Sequence, residues 1–291
     1  MPTLHQEIAQ AAAALEQAGK DSPHLQAEVL LAWVLGQPRS YLFAHPEEAL
    51  APKFEARYRG LVARRAAGEP LQHLTGEQEF FGRRFEVTPA ALIPRPETEL
   101  AVQAALEVLA PDAPAQVLDI GTGSGCIAVT LALERPNARV RATDCSAAAL
   151  EVARVNARNW AAPVEFAEGD LLAGLEGPFD LIISNPPYLS EADLAQAAIE
   201  VREHDPHEAL VAGPRGTEVY SRLIPAARKG LRPEGWLVLE MGYASAEPVR
   251  KMLKAGWDGV EFRRDLQGWE RVLVARRAEV PSSSSTALKW L

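Results

Sequence analysis

Val117-Leu118-Asp119-Ile120-Gly121-Thr122-Gly123-Ser124-Gly125 is the stretch whose reading decides the fold. Val117, Leu118 and Ile120 give a short apolar run of strand length, the run stops at three closely spaced glycines, and residues 126–133 resume as an apolar segment of helical length. A strand passing through a glycine-rich turn into a helix is the opening unit of a doubly wound α/β sheet, where ligands bind beyond the carboxyl ends of the strands. Gly121, Gly123 and Gly125 let the backbone approach a ligand and take positive φ, and Thr122 and Ser124 lie between them. The third glycine comes one residue too early for the dinucleotide pattern Gly-x-Gly-x-x-Gly, and no lysine follows as a phosphate-binding loop requires. The turn therefore points to a nucleoside ligand without a triphosphate.

Working outward, the alternation continues. Strands are expected over 139–143, 164–167, 181–184, 236–240, 260–263 and 271–275, and helices over 96–109, 146–160, 219–229 and 246–255. With the strand over 117–120 this is an α/β fold, a doubly wound, mostly parallel, seven-stranded sheet. Its last two strands lack a helix between them, so one is an antiparallel hairpin partner. Upstream, Pro94 and Pro96 forbid helix in Leu92-Ile93-Pro94-Arg95-Pro96-Glu97-Thr98-Glu99, which reads as an extended connector. Residues 77–87 read as a β-hairpin turning near Gly82.

The period before residue 75 is helical. Leu4, Ile8, Ala11, Ala12 and Leu15 make one helix closed by Gly19, and Asp21-Ser22-Pro23 caps a second that runs to Leu35 and stops at Gly36. A third helix over 52–67 carries Arg57, Arg59, Arg64 and Arg65, read as a solvated face. The expected organisation is a helical domain over 1–74 and a hairpin and connector over 75–95. The α/β domain follows over 96–278, and a serine-rich tail over 279–291 is too polar to pack.

Three further positions suit an adenosine. Asp144 follows the second strand of the sheet, where a carboxylate accepts both ribose hydroxyls, although Asp144 also suits a helix cap. Asp170 and Leu171 follow the third strand, one placed to accept an adenine amino group and the other to pack on the ring or donate its N–H. The fourth strand runs into Ser184-Asn185-Pro186-Pro187-Tyr188. The prolines fix their own φ and hold Asn185 and Pro186 extended, so this corner offers an amide side chain, bare carbonyl oxygens and an aromatic face. Such a surface suits a planar NH₂ group, which needs two acceptors and a flat wall. A phosphate-free nucleoside beside an NH₂-shaped corner points to S-adenosylmethionine and methyl transfer, with S-adenosylhomocysteine as product. The chemistry leaves a glutamine amide and an adenine amine unresolved as acceptors.

Composition bounds the partners. The 291 residues are 47% hydrophobic and carry a net charge of −9, which argues against affinity built on gripping nucleic-acid phosphates. Two cysteines, Cys126 and Cys145, make no disulfide framework and fit a reduced cytoplasmic setting. No basic leader or membrane-length apolar run appears, so a soluble monomer without membrane contact is expected. His204-Asp205-Pro206-His207 looks like a metal-ligand set, but no third or fourth ligand accompanies it and no metal is expected.

The glycine turn, Asp144 and Asn185-Pro186-Pro187-Tyr188 resemble a class I S-adenosylmethionine-dependent methyltransferase. More narrowly, Leu71-Gln72-His73-Leu74-Thr75-Gly76, Glu79-Phe80-Phe81-Gly82 and Leu92-Ile93-Pro94-Arg95-Pro96-Glu97-Thr98-Glu99 resemble the peptide-chain release factor glutamine methyltransferases, and the similarity spans nearly all of residues 70–277. The resemblance implies methylation of the glutamine side-chain nitrogen in the Gly-Gly-Gln loop of release factors. It implies that Gly121, Thr122, Gly123, Ser124, Gly125, Asp144, Leu171 and Asn185 bind the cofactor. Asn185, Pro186, Pro187 and Tyr188 would bind the glutamine. Leu171 stands where relatives often carry an aromatic residue. The rival reading is an adenine-N6 DNA or RNA methyltransferase.

Overall fold

A computed structural model of the chain describes residues 1–253 and 256–279. Apart from Glu279, the expected polar tail lies outside the described residues, as do residues 254 and 255 of the helix expected to reach residue 255. The chain divides into two compact units. One comprises Met1–Glu77, Val87–Pro89 and Ala198–His204, and the other Gln78–Glu86, Ala90–Ala197 and the chain from Asp205 onward.

The first unit is helical. Helix α1 (Leu4–Gln17) opens on a capping box in which Thr3 and Gln6 bond reciprocally, satisfying two N–H groups that the first turn leaves free. Helix α2 (Pro23–Leu35) ends at Gly36, whose φ of 64° closes the helix in the left-handed conformation. Ser22 departs from its expected capping role: it sits at φ 47° and makes no side-chain cap bond, so Pro23 alone marks the start. Helices α3 (Arg39–Ala44), α4 (Pro52–Ala66) and α5 (Leu71–Thr75) complete the main run. Leu4, Ile8, Leu15, Leu30, Leu31 and Tyr58 fill its core, and the Tyr58 hydroxyl donates to Ala27 O at 3.0 Å.

Of the four α4 arginines, Arg57, Arg59 and Arg64 are exposed, as a solvated face requires, though each meets a partner, and Arg65 alone departs from that expectation. Arg57 stacks over the Trp33 ring at 4.3 Å, Arg59 pairs with the buried Glu7, and Arg64 pairs with Glu69. Arg65 is itself buried. It donates to Gln26 at 2.6 Å and to Glu200 at 2.9 Å, where Lys20 also donates at 2.9 Å. Sequence periodicity shows a charged stripe, but the partners that absorb it come from four other segments. One of them is Ala198–His204, more than a hundred residues downstream.

In the second unit, β1 (Glu77–Phe80) and β2 (Arg83–Glu86) form the expected hairpin. Phe81 and Gly82 of its loop both take positive φ, 52° and 69°, as a tight right-twisted hairpin requires. Helix α6 (Thr98–Val108) begins two residues after Pro96. The carbonyls of Arg95, Pro96 and Glu97 instead accept from Thr98, Glu99 and Leu100 in i→i+3 turns of 3.1 Å. The chain then runs β3 (Ala115–Ile120), α7 (Cys126–Glu134), β4 (Ala138–Asp144), α8 (Ala147–Asn159), β5 (Val164–Glu168) and β6 (Phe179–Ser184). After α9 (Glu191–Gln196) come α10 (Ile199–His204), which belongs to the first unit, and α11 (His207–Leu210). Then follow α12 (Glu218–Gly230), β7 (Leu231–Glu240), α13 (Ala246–Met252), β8 (Trp257–Arg264) and β9 (Glu270–Arg277).

The larger sheet has seven strands in the order β5-β4-β3-β6-β7-β9-β8. All neighbours are parallel except β9, which runs antiparallel to both β7 and β8. Its two faces bury separate cores. Val117, Leu181 and Ile183 face one side with Leu131 of α7, while Leu118, Ile120 and Ile182 face the other with Tyr220 and Leu223 of α12. Because β4 lies on one side of β3 and β6 on the other, the connections diverge at β3. That reversal opens a crevice at the strands' carboxyl ends.

Candidate active site

Sheet register assembles the site. Ile120 of β3 is paired with Thr143 of β4 and with Ser184 of β6. The next residue on each strand is Gly121, Asp144 or Asn185, so three positions far apart in sequence emerge side by side at one edge. Gly121 and Thr122 donate to Thr143 O at 2.8 and 2.9 Å, and the Ser184 hydroxyl donates to Ile120 O at 2.7 Å. These bonds lock the three strand ends level.

A cleft with about 760 Å³ of empty space, part of it open to solvent, lies over this edge. Gly121, Thr122, Gly123 and Ser124 line its floor with Asp144, and Asn185 and Pro187 line one end. The connector supplies Ala90, Ala91, Leu92 and Pro94 as an apolar wall, and Pro206, Glu208 and Ala209 come from the segment around α11. The mixture of an apolar wall with a few polar groups suits a small-molecule ligand.

The glycines divide by role. Gly121 and Gly123 have φ of 69° and 55°, and a Cβ built on either meets nothing within 4 Å, so both leave backbone bare toward the cleft. Gly125 does not line the cleft. A Cβ there would lie 3.0 Å from the Ala153 Cβ and 3.1 Å from its Cα, so this glycine, at φ 82°, lets α7 pack against α8. Asn156 of α8 is fully buried and reinforces the turn. It donates to Ser124 O and Glu86 O at 2.9 Å each and accepts from Glu86 N at 2.7 Å.

Asp144 uses both oxygens. Oδ2 accepts from Gly123 N at 2.8 Å and Oδ1 from Ser146 N at 2.9 Å, while Ser146 itself caps α8 by accepting from Ala149 N. A carboxylate has about four acceptor positions, so lone pairs remain for a ligand. Asp119, one strand over, is fully buried and accepts from Thr122 Oγ1 at 2.7 Å. Burial raises its pKa to about 7, against the lowering effect of that bond, and the charge of Asp144 adds to the rise.

Asp170 and Leu171 lie elsewhere than the cleft lining. Asp170 is exposed and its carboxylate is paired with Arg222. Leu171 sits at φ 56° with its carbonyl accepting from Thr143 Oγ1 at 3.0 Å, and its side chain packs on the second core. At the corner, Asn185 Nδ2 donates to Thr98 Oγ1 at 3.2 Å. The Tyr188 ring packs onto Gly242, where a Cβ would approach its Cδ2 to 2.9 Å. Burial pushes the Tyr188 phenol well above its ordinary range. Leu189 is then pinned by its N–H to Leu210 O and its carbonyl to Ala212 N, at 2.9 Å each.

A model of the PrmC N-terminal domain matches residues 6–76, and one of the methyltransferase small domain matches residues 95–262. The chain is 45% identical to a release factor glutamine methyltransferase of Koribacter versatilis over 94% of its own length and 99% of that protein's. It is 47% identical to a protein of the same name from Deinococcus radiodurans, with the same shares covered. The chain belongs to the release factor glutamine methyltransferase family. Among solved structures, the hMettl16 catalytic domain in complex with the MAT2A 3′UTR hairpin 6 matches with a TM-score of 0.55 at 21% identity, covering 75% of this chain and 81% of that one. At that identity the likeness carries the fold alone.

This family member also brings to Asn185 two residues that the sequence does not single out for the site. Thr98 stands out in the sequence only as part of the connector, and Glu240 only as a strand end. Glu240 is fully buried. Burial raises its pKa to about 7, a hydrogen bond from Thr98 and the charges of Arg271 and Arg95 pull it down, and Glu97 pushes it up. Cys145 lines the cleft rim and Cys126 its floor, and burial pushes the Cys126 thiol up to about 12, so neither is poised as a thiolate. Among the described residues no group of three or more His, Cys, Asp and Glu could hold a metal ion, and no helix is long and apolar enough to cross a membrane. Asp205 of the ligand-like His-Asp-Pro-His run is buried and pairs with Arg95 instead.

Proposed function

We propose that the chain transfers a methyl group from S-adenosylmethionine to the side-chain amide nitrogen of the glutamine in the Gly-Gly-Gln loop of a peptide-chain release factor. The observation that carries this reading is the sheet register that puts Gly121, Asp144 and Asn185 level around one cleft. The residues fit the cofactor. Gly121 and Gly123 leave open space where a Cβ would stand, and Asp144, which lines the cleft, keeps lone pairs for ribose hydroxyls. When bound, S-adenosylmethionine supplies an electrophilic methyl on its sulfonium. Its adenine end is proposed to lie toward Leu171, where Asp170 would exchange Arg222 for the adenine amino group.

An amide nitrogen is a poor nucleophile because its lone pair is delocalised into the carbonyl. In the proposed mechanism, Asn185 Oδ1 and the Pro186 carbonyl each accept one N–H of the substrate amide. This fixes the direction of the nitrogen lone pair and favours the positive charge that develops on it during transfer. Pro187 and Tyr188 wall the planar amide, and no protein base removes a proton first. The helical unit is the proposed docking element for the release factor, since one glutamine side chain offers too little surface for specificity. The enzyme is proposed to act as a cytoplasmic monomer, without a metal and without stable nucleic-acid binding.

The test is radioactive methyl transfer to an intact release factor, to its variant with alanine replacing the loop glutamine, and to duplex DNA. Label should enter the first alone, and label in DNA would make the enzyme an adenine methyltransferase. Asn185→Ala should lower turnover by roughly 10²–10³ with the circular dichroism of the folded protein retained. Wild-type turnover in that variant would refute the assignment.

A further inference from the structure

The register between β6 and β7 pairs Ser184 with Leu239, so Asn185 and Glu240 emerge as neighbours on adjacent parallel strands. Thr98, the first residue of α6, meets both. Its hydroxyl oxygen accepts from Asn185 Nδ2 at 3.2 Å, and its side chain lies close enough to the Glu240 carboxylate to lower that group's pKa. Thr98 is 2% exposed and Glu240 1%, and Glu240 Oε2 has no hydrogen-bond partner among the described residues. A buried carboxylate with an unpartnered oxygen destabilises a fold, and the proposed mechanism gives it no step.

We infer that Glu240 and Thr98 are positioning residues that fix which end of the Asn185 amide faces the substrate. The inference rests on the reading of Asn185 as an acceptor for the glutamine amide. It follows from counting hydrogens. A threonine hydroxyl has one hydrogen, and an ionised carboxylate only accepts. If that hydrogen goes to the unpartnered Glu240 carboxylate, Thr98 meets Asn185 with a lone pair, which matches the NH₂ of Asn185 turned toward Thr98. Its Oδ1 is then the atom left for the substrate N–H. Without the carboxylate, Thr98 is free to donate to Oδ1, the amide turns over, and the NH₂ of Asn185 opposes the NH₂ of the substrate.

Glu240→Gln tests this with little change of shape, because its NH₂ can donate to Thr98 and release the threonine hydrogen. Thr98→Val removes the hydroxyl while keeping volume, and Thr98→Ser retains it. At about pH 8.5, where Glu240 is ionised, kcat for an intact release factor should fall roughly 10- to 100-fold in Glu240→Gln and Thr98→Val. S-adenosylhomocysteine affinity should stay within about two-fold, and Thr98→Ser should restore most of the rate. A second readout is one that mere structural support would not move. A release factor whose loop glutamine is replaced by glutamate presents only acceptors. It should inhibit the wild type weakly and Glu240→Gln roughly ten-fold better, because the turned amide offers a donor. Wild-type kcat in Glu240→Gln beside an inactive Asn185→Ala overturns the positioning role alone. Activity in both variants overturns the reading of the corner itself.

Discussion

Replacing Asp144 by asparagine separates the backbone bonds that the structure shows on one carboxylate from the ribose contact proposed for it. Oδ2 holds Gly123 N at 2.8 Å and Oδ1 holds Ser146 N at 2.9 Å, leaving lone pairs for the ribose hydroxyls. Asparagine has one oxygen, so its NH₂ must confront one of those two backbone N–H groups and can accept nothing from the ribose. A hydrogen bond to a charged group contributes about 1.5–3 kcal/mol, so losing the ribose bond should weaken S-adenosylhomocysteine binding by roughly 10- to 150-fold. The unpaired backbone N–H should separately lower stability by about 1–3 kcal/mol, a few degrees of melting temperature for a unit of this size. Calorimetric titration measures the first effect and thermal denaturation without ligand the second. The two are told apart by a 2′,3′-dideoxy analogue, against which wild type and Asp144→Asn should bind nearly alike. If affinity for S-adenosylhomocysteine were unchanged while the melting temperature fell, Asp144 would serve only to pin the glycine turn.

Two further outcomes test the scaffold. Asn156→Ala strips three hydrogen bonds that join Glu86 to Ser124 and should destabilise the protein by about 3–5 kcal/mol; a loss below about 1 kcal/mol in urea unfolding would show that the tie is dispensable. Glu200 is pushed up by burial, but donation from Lys20 and Arg65 outweighs this and holds it at about 2, below the ordinary 4.5. Its stabilising contribution is therefore present above about pH 4.5 and lost as pH falls toward 2. Glu200→Gln should accordingly cost about 1.5–3 kcal/mol at neutral pH, with the difference from wild type closing in that acid window; a constant difference across it would remove the charge from the account.

Much of the fold was legible because it rests on local rules. The run from Val117 to Gly125, the alternation after it and the proline connector each leave a short-range mark. Backbone geometry and burial period constrain residues close in sequence. The helices α3, α5, α9, α10 and α11 escaped notice because each has six residues or fewer, too few to show a period. Arg65 of α4 departs from the expected solvated face for another reason. Its partners Gln26 and Glu200 are distant in sequence, and a charge pattern alone says nothing of what lies opposite it.

By itself, the sequence singled out a glycine turn, an acidic strand end and an Asn-Pro-Pro-Tyr corner as the parts of one candidate methyl-transfer site. It also determined that the glycines bare the backbone and the prolines stiffen the corner, since these are properties of the residues themselves. Tertiary structure decided how the pieces share the work. Pairing of Ile120 with both Thr143 and Ser184 made the three strand ends level, and Ala153 gave Gly125 a packing role apart from the cleft. The juxtaposition of β6, β7 and α6 brought Glu240 and Thr98 to Asn185. Orientation of an amide is set by the donors and acceptors around it, and only folding brings those groups together.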